Sequence, residues 1–177
     1  MKTLIKITLI LTILFSCSAF KTASVTYQTN PFVGTWQYQD GNEVFIVTIW
    51  MNANENEYFD ENSIHGNFKK IIVDANGNEI SEVYTSLGYY DAEQTVAYAP
   101  AFHSSYNDNS NRIQGGILDR TMPNGKLEGT FSLTLQNNCI NCPPNTAIWK
   151  VKKDQGLRPL DEPDFNVPTD LILTKIE

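Results

Sequence analysis

The chain has 177 residues, 13 Lys and Arg against 20 Asp and Glu, a formal net charge of −7 and 41% hydrophobic residues. That length supports one domain with a sizeable core. The acidic balance argues against nucleic acid and against electrostatic binding to anionic lipid, since both need clustered Lys and Arg.

The first segment, through Cys17, has a lysine near its start, about a dozen mostly apolar residues and a small residue before the cysteine. These are the three parts of a secretory signal, and the stretch is short of the roughly 20 apolar residues that span a bilayer. Leu14-Phe15-Ser16-Cys17 resembles a bacterial lipobox, with Phe15 where a small residue is usual. The resemblance implies cleavage before Cys17, diacylglycerol on its thiol and an acyl group on the new amine. The alternative is an ordinary signal peptide ending near Ala19 or Ala23. Removal of residues 1–16 takes Lys2 and Lys6 but no acid, so the charge falls from −7 to −9. Two or three acyl chains, at about 0.8 kcal/mol per buried CH₂, hold such a protein on a membrane. Residues 18–24 lack the acids that surface-directed Bacteroidota-type lipoproteins tend to carry there, which favours the periplasmic face of the outer membrane. Residues 17–31 read as lipidated N-terminus and flexible tether, and residues 32–177 as a single domain.

From Pro31 onward strands and turns alternate, and no stretch of ten residues has an apolar period of 3.6. The expected strands are Val33–Gln39, Val44–Met51, Ser63–Val73, Glu79–Tyr90, Thr95–Phe102, Arg112–Leu118, Leu127–Gln136, Thr146–Lys152 and Asp170–Ile176. In Leu127–Gln136, Leu127, Phe131, Leu133 and Leu135 point one way while Glu128, Thr130, Ser132, Thr134 and Gln136 point the other. Val44–Met51 is apolar on both faces, which predicts core on one side and a covered outer face. Asp40-Gly41 and Asn76-Gly77 are two-residue hairpin signals, and Pro123-Asn124-Gly125 is a further turn. About eight to ten short strands in an antiparallel meander predict an all-β barrel, with a β-sandwich as the alternative.

Several groups could carry chemistry. Cys139-Ile140-Asn141-Cys142 fits a disulfide, a redox pair or half of a zinc site. An exported chain with two remaining cysteines favours the disulfide. The redox reading wants a helix, which Pro143-Pro144 prevents from following at once. The zinc reading needs two more ligands, and His65 and His103 are isolated in sequence. Asp74 to Glu79 alternates oxygen ligands as a calcium loop does, but lacks glycine at position six and an acid at twelve, so a hairpin turn is favoured. His103-Ser104-Ser105 with Asp108 has hydrolase residue types without a positioned base or a Gly-x-Ser-x-Gly elbow. No enzyme, metal or cofactor is expected. Tyr84, Tyr89, Tyr90, Tyr98, Phe102 and Tyr106 form an aromatic-rich middle, and aromatics with polar tips suit a barrel lumen that holds a ligand. The expected lining is Trp50, Phe68, Tyr84, Tyr98, Phe102 and Phe131, for a small hydrophobic or amphipathic molecule. The contrasting expectation is a monomeric, solid-core module that contacts an envelope protein through its Asn/Asp-rich loops.

Gly34-Thr35-Trp36, opening the first strand, resembles the Gly-x-Trp of the calycin superfamily, which includes lipocalins, fatty-acid-binding proteins and avidin-like barrels. The resemblance implies that Trp36 plugs one barrel end and that Lys175, in the last strand, lies over its indole; both roles are architectural. A wider resemblance is to a family of small secreted or lipid-anchored Bacteroidota proteins of uncharacterised function. It rests on the signal, Phe32–Trp36, Ala147–Val151 and the ending Val167–Ile176, and it implies an extracytoplasmic barrel with no known activity.

Overall fold

The computed structural model describes residues 30–51, 63–87, 100–105, 111–123, 125–136, 145–159 and 161–176. Among the described residues nine strands form: β1 (Gly34–Asp40), β2 (Glu43–Met51), β3 (Ser63–Val73), β4 (Glu79–Thr85), β5 (Phe102–Ser105), β6 (Arg112–Asp119), β7 (Leu127–Gln136), β8 (Thr146–Lys153) and β9 (Asp170–Lys175). Every pairing is antiparallel. Eight strands close a ring in the order β1-β2-β3-β5-β6-β7-β8-β9, and β4 hangs from β3 outside it. Among the described residues there is no helix.

Alternation along each strand sorts the side chains. Phe45, Val47 and Ile49 of β2 face inward with Phe131, Leu133 and Leu135 of β7 and Ala147, Trp149 and Val151 of β8. The opposite face of β2 carries Val44 and Ile46, which form a second cluster with Ile71 and Val73. The two-sided apolarity of β2 therefore reflects two separate packing surfaces.

Several expected boundaries move, and the strand expected over Glu79–Tyr90 ends at Thr85, with residues 88–90 outside the described ones. The strand sought at Thr95–Phe102 runs from Phe102 to Ser105, and residues 95–99 lie outside the described ones. The first hairpin pairs Asp40 with Glu43, so its turn is Gly41-Asn42, one position later than the Asp40-Gly41 signal. Gly41 takes the positive φ, at 60°. The second hairpin closes at Val73 and Glu79 around a five-residue loop rather than a two-residue turn. There the Asp74 carboxylate accepts the amides of Asn76 and Asn78, at 2.8 Å each, and the side-chain amide of Asn78. Those bonds, the Asn78 side chain first, lower the Asp74 pKa. Its oxygens serve the turn, as the hairpin reading of this segment expects.

β3 is long enough to fork. Ser63–Gly66 pair with β5, and Lys69–Val73 pair with β4 along the same edge. Backbone groups at such a fork need other partners. Ser86 supplies them: its Oγ accepts the Phe68 amide at 2.8 Å and its own amide donates to the Phe68 carbonyl at 2.8 Å. The Asn67 side-chain carbonyl accepts the Ala101 amide at 3.1 Å, carrying the chain onward into β5.

Candidate functional site

The interior of an eight-stranded barrel either holds one small ligand or is filled by side chains. Phe68, Phe102 and Phe131 meet there, all at 2% exposure or less. Their rings do not line an open space, because Trp149 and Phe45 stand among them. Trp149 lies 6.2 Å from Phe45, 5.5 Å from Phe102 and 5.7 Å from Phe131 between ring centroids. Phe102 and Phe131 are 4.5 Å apart, and Phe45 reaches Phe68 at 6.1 Å. The indole N–H of Trp149 donates to the Pro168 carbonyl at 2.9 Å, which locks it across the barrel. Trp149 did not stand out in the sequence, although Ala147, Trp149 and Val151 alternate with Ile148, Lys150 and Lys152 and so announce an inward face.

Tyr84 sits at the margin of this aromatic layer, edge-on to Phe68 at 6.3 Å. Its hydroxyl donates to the Asn166 carbonyl at 3.3 Å. Burial first, then the nearby Asp119 and Glu43 carboxylates, push the phenol pKa well above its ordinary value. Tyr98 lies outside the described residues, as do Tyr89, Tyr90, Tyr106 and Asp108. So do Cys17, Cys139 and Cys142.

Both barrel ends are stoppered. Where β1 begins, Trp36 and Phe32 are fully buried, and the Trp36 indole N–H donates to the Phe32 carbonyl at 2.8 Å. The Asn30 side chain accepts the Phe32 amide at 3.0 Å, and Gly34 leaves this turn with φ of 130°, a conformation that favours glycine. The Lys175 ammonium lies 5.5 Å from the Trp36 ring centroid and donates to the Pro31 carbonyl at 3.0 Å. Burial lowers its pKa. At the far end, inward-facing Asp119 is fully buried and binds the segment entering β9, where Val167 is also buried.

Trp50 lies elsewhere. On β2 it alternates with Ile49, so its indole is on the outer wall, stacked on His65 at 6.3 Å and 29°. Trp36 and Trp149 are at 0% exposure, which leaves Trp50, half-buried, as the one tryptophan that solvent reaches. It borders a groove of about 330 Å³ formed with Ile46 and Thr48 of β2, Lys69 of β3 and Glu82 and Thr85 of β4, with Leu87 beyond. Two bulges shape the nearby edge. The β3–β4 register skips between Lys70 and Ile71 and between Ile72 and Val73, so Val83 and Ile80 are the extra residues on β4. Bulges re-aim side chains, and these two apolar ones are 52% and 64% exposed.

The remaining chemical candidates separate. His103 and Ser104 are neighbours on a strand, so they face opposite ways; His103 is exposed and Ser104 is buried, donating to the Gln114 carbonyl at 2.7 Å. No base reaches that hydroxyl from His103. His65 and His103, far apart in sequence, are direct partners across β3 and β5. Among the described residues no three His, Cys, Asp or Glu side chains gather as a metal site. Burial, and then the charge of His103, lower the pKa of His65 below 6.5. The unfolded chain therefore takes up a proton at a pH where the folded imidazole does not. This contribution is fully present above pH 6.5 and is lost as pH falls from there toward the folded pKa. His65→Gln should remove that part of the decline in urea midpoint on mild acidification, and an unchanged slope would refute the assignment.

A filled, end-stoppered, eight-stranded antiparallel barrel with a side strand is the class this geometry defines. The chain belongs to a family of unknown function, DUF6705, which it matches over residues 1–176. No curated protein and no solved structure matches it.

Proposed function

We propose that this protein is a non-catalytic binding module of the cell envelope, held by acyl chains on Cys17 at the periplasmic face of the outer membrane. In this reading the barrel is a solid scaffold, and the outer wall over β2, β3 and β4 meets another envelope component. The observation that carries it is the packing of Trp149 against Phe45, Phe102 and Phe131, in the space a lumen ligand would need. The exposed apolar residues Ile80, Val83 and Leu87 beside the Trp50 groove support the choice of wall. The lipobox-like Leu14–Cys17 supports the anchor.

Native mass spectrometry of the purified full-length protein tests the scaffold reading. A chain carrying only its own acyl groups is the expected result; a stoichiometric apolar passenger that apolar competitors displace would overturn it. Cys17→Ser should abolish palmitate labelling and move the protein from the membrane to the soluble fraction. Retention of the label would place the anchor elsewhere.

A further inference from the structure

We infer that the groove on the outer wall binds a neutral oligosaccharide, with Trp50 as the stacking platform. This inference rests on the outer-wall reading above and names the class of ligand for that surface.

The lining sets the chemistry. One side is apolar: the half-buried indole of Trp50 with Ile46 and Leu87. Phe68 adds to that apolar share, and the remainder is a set of hydrogen-bonding groups, the Thr48 and Thr85 hydroxyls, the Glu82 carboxylate, the Lys69 ammonium and Asn67. A hydrocarbon ligand would leave that polar side without partners, which is costly for groups removed from water. A phosphorylated or carboxylated ligand would face Glu82 and also Glu79, which already holds the Lys69 ammonium at 2.8 Å. A pyranose meets both conditions. It has an apolar C–H face for the negative face of an indole and a rim of hydroxyls that both donate and accept. The carboxylate and threonines can accept from those hydroxyls, and the threonines and the ammonium can donate to them.

The geometry is also prepared in advance. The Trp50 ring is stacked on its cross-strand partner His65, which is 4% exposed and within 3.1 Å of the Ser63 hydroxyl, so the platform is braced by a buried neighbour. Thr48, Lys69 and Thr85 come from adjacent strands, with Lys69 directly opposite both Ile46 and Thr85. A site built on paired strands loses less freedom on binding than one built on loops. A groove of about 330 Å³ falls at the small end of the range for ligand sites, which suits one or two sugar rings.

The distribution of tryptophans supplies the readout. Because Trp36 and Trp149 are fully buried, quenching of tryptophan emission by iodide reports on Trp50. The full chain, purified in a detergent without a sugar headgroup, is titrated with maltose, cellobiose, lactose, mannobiose and diacetylchitobiose at millimolar concentration. Protection of Trp50 by at least one of them is expected. Trp50→Ala should lower its affinity, measured by calorimetry, at least about tenfold. Glu82→Gln, at an exposed position of β4, should lower it about fivefold with an unchanged urea midpoint, and Thr85→Val should lower it by a similar factor. If no saccharide protects Trp50 but an alkyl chain or an apolar peptide does, the saccharide inference falls while the outer wall remains the binding surface. If none of these ligands shields Trp50, both fall.

Discussion

Gly66→Ala should destabilise the barrel by about 3 kcal/mol or more, as large an effect as a single added methyl group ordinarily has. A Cβ at Gly66 would lie 2.0 Å from Cζ of Phe102 and under 3 Å from two further ring atoms. Gly66 and Phe102 are cross-strand partners, and the phenyl ring lies over the glycine. The ring has no retreat: Phe131 stands 4.5 Å away on one side and Trp149 5.5 Å away on another, and all three are fully buried. Phe102→Leu alone should cost about 1–3 kcal/mol through lost packing. In the Gly66→Ala background it should cost less or even restore stability, because it vacates the space the methyl group needs. Urea unfolding of the four proteins gives the coupling. Strict additivity would mean that the ring moves aside without resistance, and the account of a filled interior would then fail at its centre.

Asp119→Ala should cost about 3–5 kcal/mol and lower the melting temperature by roughly 6–15 °C. The carboxylate is fully buried at the inward-facing end of β6 and accepts four hydrogen bonds. One oxygen takes the Thr121 amide at 2.9 Å and its hydroxyl at 2.7 Å; the other takes the amides of Asn166 and Val167 at 2.8 and 3.0 Å. Asn166 in turn reaches the Thr121 hydroxyl at 2.9 Å through its side chain. Removing the acceptor strands several donors at once, and bonds to an ionised group are worth more than neutral ones. Asp119→Asn should recover only part of the loss, because its Nδ2 would face donors on one side. Hydrogen exchange localises the effect: the Asn166 and Val167 amides should lose protection while residues around Trp36 keep theirs. Unchanged exchange at 166 and 167 would contradict the role given to Asp119.

The strands were legible because water imposes a period of two on any half-buried strand. Leu127–Gln136 and Ser63–Val73 have the bounds expected of them, and Arg112, Thr146 and Asp170 open their strands where anticipated. β5 begins at Phe102, where the expected Thr95–Phe102 ends; Pro100 and Ala101 are not in a strand, and residues 95–99 lie outside the described ones. Asp119 lies one residue past the expected end of its strand, although the same period reaches it. It continues the inward series Ile113, Gly115, Ile117, and an acid in that phase implies a cluster of buried donors waiting elsewhere in the chain.

The aromatic character of Trp50 suggests the interior, but its neighbour Ile49 is the residue that points there. An aromatic in a strand that is apolar on both sides carries no mark of which side is the core. Only the pairing of β2 with β1 and β3 across a closing ring settles that.

Local composition alone determined that this chain forms antiparallel strands, since alternation and turn residues act over a few positions. Whether the enclosed space was empty or filled was decided by tertiary structure. Phe45, Phe68, Phe102, Phe131 and Trp149 come from five different strands, and their fit depends on ring closure, which no short stretch of sequence encodes. The same closure set which residues reach the outer wall, and so put the solvent-facing tryptophan beside β4.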